Sequence, residues 1–319
     1  MNKVAAAVLC AVITSGCGHS VAGTPAATPQ KALSAPEQRH LELEDALRAA
    51  DPCGLLDEGP LRDFGPILQY GSAVQLSVCS ALMAGPRGGT TYVELSLLPS
   101  MLSGKSLTEP DTVDGVTVYG GAGADLARGT CERVFQLELG SLEVAPQLAT
   151  VRAGTVAGED VCPLVDAVLV SAIDAMASGL PGRGSSSRQV ALASHDPCEV
   201  LGVLGDAAGG RVVDPAAAPT PFDCVLFPTR REPGTEVTVT FTLAPINGNR
   251  PRVQADPEMV GDRCQWSTPV GEPIDVTRPG AQVDEFTRKL GSAGAVVTVH
   301  GPNCTEVARV AEAATTVFG

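Results

Sequence analysis

Runs of alternating apolar and polar residues, closed by one long helical stripe, occur twice along this chain. In the first half Val93, Leu95 and Leu97 alternate with Glu94 and Ser96, a period of two that predicts a half-buried strand. SAVQLSVCSALM (residues 72–83) precedes it, and DGVTVYGG (114–121), CERVFQLEL (131–139) and QLATVRAGT (147–155) continue the strand pattern. The period then changes. Leu164, Val165, Val168, Leu169, Ala172, Ile173 and Met176 recur at three and four, which predicts a helix stopped by Gly179 and Pro181.

The second half repeats the outline. DCVLFPTR (223–230) and TEVTVTFTLAP (235–245) predict strands, with Val237, Val239 and Phe241 alternating with Thr238, Thr240 and Thr242. DRCQWSTPV (262–270) and AVVTVHG (295–301) follow. NCTEVARVAEAATTVF (303–318) closes the chain as a helix capped by Asn303, with Val307, Val310, Ala311 and Ala314 on one face. Each half also opens alike, with DPCGLL at Asp51–Leu56 and DPCEVL at Asp196–Leu201. Asp is a good N-cap and Pro suits the first helical position, so each motif predicts a short helix; the first is expected to break near Gly59 and Pro60. APEQRHLELEDALRAA (35–50) predicts a lead-in helix.

The expected fold class is α+β: two tandem similar domains, each an antiparallel sheet packed with an N-terminal and a C-terminal helix and stapled by disulfides. The expected boundaries are a signal peptide at 1–16, a tether at 17–35, a first domain with its lead-in helix at 36–178, a linker at 179–195 and a second domain at 196–319. The linker's first half, GLPGRGSSS, is rich in Gly and Ser.

The cysteines strengthen the duplication. Setting aside Cys10 and Cys17, eight remain: Cys53, Cys79, Cys131 and Cys162, then Cys198, Cys224, Cys264 and Cys304. The first step is 26 residues in each quartet (79 − 53 and 224 − 198), and the spans are 109 and 106 (162 − 53 and 304 − 198). A shared spacing argues for an internal duplication. An even count per domain in an exported protein argues for disulfides. Four cysteines allow three connectivities and the spacing does not choose among them. Pairing first with second and third with fourth is the expectation, because each pair then ties a terminal helix to a strand. Neither quartet holds a C-x-x-C, and the chain has only 4 His, so no zinc ligand set is expected. A reactive thiol at Cys53 or Cys198, lowered by a helix N-terminus, is the competing use of those positions.

The N-terminus sets the compartment. Lys3 precedes an apolar run from Val4 to Ile13, the length of a signal-peptide core and too short to span a bilayer. Thr14, Ser15 and Gly16 then lead to Cys17, which resembles a bacterial lipobox; Thr14 stands where that pattern has an aliphatic residue. The resemblance implies lipidation of Cys17 and a membrane anchor on the extracytoplasmic face, with secretion as the outcome if Cys17 is not lipidated. Residues 18–33, rich in Ala, Thr, Pro, Ser and Gly, read as a tether.

Composition narrows the partners. A net charge of −14 leaves nothing to attract nucleic acid over distance. Aromatics are 3% with a single tryptophan, Trp266, so the cores must rest on Val, Leu, Ala and Ile. The repeated D-P-C opening, a cysteine at a strand, a cysteine opening the last helix and the CQW stretch at 264–266 together resemble actinobacterial envelope lipoproteins of unknown function; CERVF of the first half lacks the tryptophan. That resemblance implies export, disulfides and an α+β domain, and transfers no catalytic residue.

Few motifs along the chain carry chemistry. The serines of RGSSSR (183–188) lack a nucleophile-elbow glycine pattern. His19 lies in the tether, His40 in the lead-in helix, His195 before the second DPC and His300 at a strand end. DTVDG (111–115) has no EF-hand ligand spacing, and GGAGAD (120–125) is not a phosphate-cradling glycine loop. No catalytic, cofactor-binding or metal residue is expected. The expected function is a non-enzymatic binding or scaffold module with an envelope protein, a lipid or a cell-wall fragment as partner. An envelope hydrolase, or a sensor subunit beside a membrane kinase or secretion system, are the alternatives.

Overall fold

The computed structural model describes residues 33–85, 89–97, 107, 110–120, 129–140, 147–155, 158–184, 190–213, 220–246 and 254–319. The signal peptide, Cys10, Cys17, His19 and most of the tether lie outside the described residues.

The chain forms two antiparallel sheets with helices packed against them. Helix α1 (Ala35–Ala49) opens with a capping box, in which Ser34 and Glu37 satisfy each other's backbone N–H groups. Two short helices follow, α2 (Pro52–Leu55) and α3 (Glu58–Phe64). The expected break near Gly59 and Pro60 is corrected here: it falls at Leu56 and Asp57, and α3 runs through both residues. Pro60 sits in the first turn of α3, where a backbone N–H has no intrahelical acceptor in any case, so proline costs nothing there.

The first sheet contains β1 (Ile67–Gly71), β2 (Val78–Ala84), β3 (Thr90–Ser96), β4 (Pro110–Val113), β5 (Val116–Gly120), β6 (Thr130–Gln136) and β7 (Leu148–Thr155). Helix α4 (Cys162–Met176) packs on it, burying all seven residues of the predicted stripe. In the second half a 3-10 turn (Pro197–Glu199) leads into α5 (Val200–Leu204). The second sheet contains β8 (Gly210–Arg211), β9 (Asp223–Phe227), β10 (Val237–Pro245), β11 (Glu258–Val260), β12 (Arg263–Asp275) and, after α6 (Glu285–Leu290), β13 (Ser292–Gly301). Helix α7 (Cys304–Phe318) covers it, with Asn303 as the N-cap.

The strand orders superpose. The first sheet reads β1-β2-β3-β7-β6-β5-β4, and the second, from its other end, reads β8-β9-β10-β13-β12-β11. The register agrees residue by residue. Cys79 pairs with Leu95, which pairs with Val151; Cys224 pairs with Val239, which pairs with Val299. Cys131 faces Ala153, and Cys264 faces Gly301. A one-residue slip would send every side chain to the other face, so this agreement marks the same fold used twice.

The disulfides join first to second and third to fourth in each unit: Cys53–Cys79, Cys131–Cys162, Cys198–Cys224 and Cys264–Cys304. Each ties a helix or helical turn to a strand. All eight cysteines are therefore paired, and Cys53 and Cys198 carry no thiol to react.

The two units are also joined to each other. At the outer edge of β1, Tyr70 N donates to Val276 O and Arg278 N donates to Leu68 O, both at 2.9 Å. The segment after β12 thus adds to the first sheet and covers an edge that would otherwise present unpaired backbone groups. Gly71, at φ +148°, makes room there: a Cβ on it would stand 2.6 Å from Val276 Cγ1. Ala73 and Leu76, from the first half, lie in the second core. The ends of the linker are built in as well, with Leu180 packed on the first core and Leu192 and Ala193 buried in the second. Residues 185–189, which include the serines of RGSSSR, lie outside the described residues.

Candidate functional site

The shared register shows where the copies differ. Position by position, Arg133 on β6 corresponds to Trp266 on β12, each two residues after its cysteine (Cys131 and Cys264). Asp166 on α4 corresponds to Ala308 on α7, each four residues after the cysteine that opens its helix (Cys162 and Cys304). The correspondence is supported by burial: Val165, Val168, Leu169, Ala172 and Met176 fall on Val307, Val310, Ala311, Ala314 and Phe318, all buried.

In the first unit this place is closed by an ion pair, Arg133 Nε to Asp166 Oδ1 at 2.9 Å. In the second unit it is a groove of about 320 Å³. Its strand wall is Trp266 and Thr268, and its helix wall is Ala308, Ala311, Glu312 and Thr315. Small side chains open it: Ala311 stands where α4 has Leu169, and Thr315 where α4 has Ile173. The third wall is the segment Gln254, Ala255, Asp256 and Pro257. That segment is pinned to β12 by three hydrogen bonds. Trp266 Nε1 donates to Gln254 O at 2.7 Å, Gln254 Nε2 donates to Gln265 O at 3.3 Å, and Gln254 N donates to Ser267 O at 3.2 Å. The indole is thus oriented by its one polar atom while its apolar body borders the groove.

The outer sheet faces differ too. In the first unit, Ser80, Glu94, Arg152 and Glu132 lie in register across four strands, and Arg152 pairs with Glu94 at 3.2 Å. The equivalent row in the second unit is Val225, Thr238, His300 and Gln265. Burial, followed by Arg263, holds the His300 imidazole below its ordinary value, with Asp223 pulling the other way. Asp223 accepts from Thr220 Oγ1 at 2.5 Å and from Thr240 Oγ1 at 2.7 Å, which uses both carboxylate oxygens structurally.

A third cluster is the charged seam between the units. Arg211 donates to Glu44 at 2.5 Å, Arg48 Nε donates to Pro221 O at 2.9 Å, and Arg48 Nη2 lies 3.6 Å from Asp196. Burial raises the Glu44 carboxyl above its ordinary range against the pull of Arg211, His40 and Arg48. Arg183 donates to Arg48 O at 2.6 Å and to Leu76 O at 2.9 Å and stacks over Phe222 at 5.4 Å. Burial pushes its guanidinium down to about 10, with Asp51 opposing. The seam uses the two DPC aspartates as structure. Asp51 and Asp196 cap their helices, accepting from Cys53 N at 2.9 Å and Cys198 N at 2.8 Å.

The remaining candidates resolve simply. His40 sits 3.1 Å from Glu44 within α1, and His195 lies 3.1 Å from Glu199 beside Phe318. DTVDG is β4 and a two-residue turn, with Asp114 at φ 48° and Gly115 at φ 87°, a pair suited to a tight hairpin. Only Gly120 of GGAGAD is described. Among the described residues no group of His, Cys, Asp and Glu is placed to hold a metal, and no helix is long and apolar enough to cross a membrane. Sequence reasoning noticed CQWST against CERVF but missed Ala308, Glu312 and Asp256. Aligning the two halves on their cysteines would have set Asp166 against Ala308.

Comparison of the chain with protein-family models, with curated proteins and with solved structures finds no match in any of the three.

Proposed function

We propose that this is an exported envelope protein, anchored by lipid at Cys17, that works as a non-enzymatic binding module through the Trp266 groove of its second unit. The groove carries the reading. At the same place in the same fold, the first unit spends two side chains, Arg133 and Asp166, on closing the surface, whereas the second leaves an apolar recess beside the chain's one tryptophan. Its volume is at the lower end of what small-ligand sites have. Strand pairing and the buried seam hold the units together, so the ligand enters a standing groove rather than being gripped by closure of two domains. The resemblance to actinobacterial envelope lipoproteins fits an anchored module of this kind.

The test is a fragment screen read by NMR on the detergent-solubilised full chain. With one tryptophan in the chain, the indole N–H gives a single resonance for the groove. A set of small compounds balanced between positive, neutral and negative members is expected to include compounds that shift the Trp266 indole and the Ala308 methyl together. A set in which no compound moves either resonance overturns the reading. The anchor is tested separately: Cys17→Ser should move the protein from the membrane fraction to the soluble one.

A further inference from the structure

We infer that the Trp266 groove takes a small organic cation, an apolar body carrying an ammonium or guanidinium group. This rests on the reading of the groove as a binding site and adds the sign of the ligand's charge.

Charge decides the class. Among the described lining residues there are two carboxylates, Asp256 and Glu312, and no basic side chain. They come from different walls, one on the segment pinned to β12 and one on α7, so a cation in the recess feels both anions. Neither is committed to a described ion pair; the one described salt bridge on α7 joins Glu306 and Arg309 toward its N-terminal end. The indole adds to the same preference, because a cation is attracted to an aromatic ring and tryptophan is the strongest such partner. Ala308 and Ala311 of the helix wall offer methyl groups, which suits the apolar body. Among the described lining residues, an anionic ligand would meet both carboxylates with nothing to offset them. The net charge of −14 acts in the same direction over a longer range, raising the local concentration of cations. Among the described residues of the first unit the equivalent place is filled, since Asp166 is paired with Arg133 and the bulk of Leu169 and Ile173 lies where the recess would be.

The test compares three probes with one body: phenethylamine, 2-phenylethanol and phenylacetate, titrated by calorimetry into the full chain at low salt. Phenethylamine is expected to bind best and to weaken as salt rises. Glu312→Gln and Asp256→Asn should each weaken the amine roughly two- to fivefold while leaving the alcohol unchanged. Ala308→Leu, at an exposed helix position that tolerates leucine, should weaken all probes by about tenfold or more by filling the recess, with no loss of fold by circular dichroism. If the alcohol or phenylacetate binds as tightly as the amine, the groove stands as a site and the cation assignment is wrong. If no probe binds in a way Ala308→Leu removes, the groove reading fails along with it.

Discussion

Arg133 and Asp166 meet at 2.9 Å on the flank of the first unit, at the positions that Trp266 and Ala308 hold in the second. Both partners of that ion pair retain contact with solvent, so its role is to fill and close a surface rather than to hold the fold. Asp166→Ala is therefore expected to change stability by less than about 1 kcal/mol. Urea unfolding of the variant beside the wild type checks this; a much larger loss would mean the pair is a structural support and its absence from the second unit needs another account.

The disulfides staple each opening helix or turn to its sheet. Cys53–Cys79 and Cys198–Cys224 close loops of equal length, with a sequence separation of 26 in each. Replacing either pair with alanines should cost about 3.5 kcal/mol, by the chain-entropy account of such a loop. The two double variants should lose similar amounts in denaturant unfolding, because the loops and the local folds match.

Arg183 braces the seam from inside. Its guanidinium satisfies two backbone carbonyls, those of Arg48 and Leu76, and lies over Phe222 of the other unit. Arg183→Met keeps the length and removes the donors, leaving two carbonyls and the buried Asp51 without it. A loss of about 3 kcal/mol is expected. Thermal unfolding should change in form as well: a single transition in the wild type, separating toward two in the variant as the halves uncouple.

His300 predicts a slope in stability against pH. Burial and Arg263 hold its folded value below the ordinary 6.5. Below pH 6.5 the unfolded chain therefore binds a proton that the folded chain resists, and stability falls as pH drops through the folded value. Above 6.5 both states are neutral and the contribution is constant. Unfolding free energies of wild type and His300→Gln, measured from pH 8 down to pH 5, should run parallel above about 6.5. Below it the wild type should fall away more steeply. Equal slopes throughout would mean that His300 titrates alike in both states.

Much of this architecture was legible in the residues. The seven-residue stripe from Leu164 to Met176 and the Val–Thr alternation of 237–242 each contain their full period, so helix and strand followed from local pattern. The cysteine spacing carried the duplication, and the Asp-Pro-Cys openings carried the caps. What was hidden depends on contacts far apart in sequence. The addition of 276–278 to the edge of β1 depends on how β12 leaves its sheet, and Arg183 sits in a glycine-rich stretch that reads as linker although its side chain is half-buried. The groove was half visible. Trp266 stood out as the lone tryptophan, but an alanine such as Ala308 marks a recess only when its counterpart, Asp166, is known to fill one.

By the proposed function, this exchange of an ion pair for an open recess is what separates the two units. Its most direct test installs the first unit's pair in the second, as Trp266→Arg with Ala308→Asp in one full-length chain. Binding of phenethylamine to this variant is then measured by calorimetry, with circular dichroism to establish that it folds. The account predicts a folded protein in which binding is lost. A folded variant that binds phenethylamine as tightly as the wild type would contradict it.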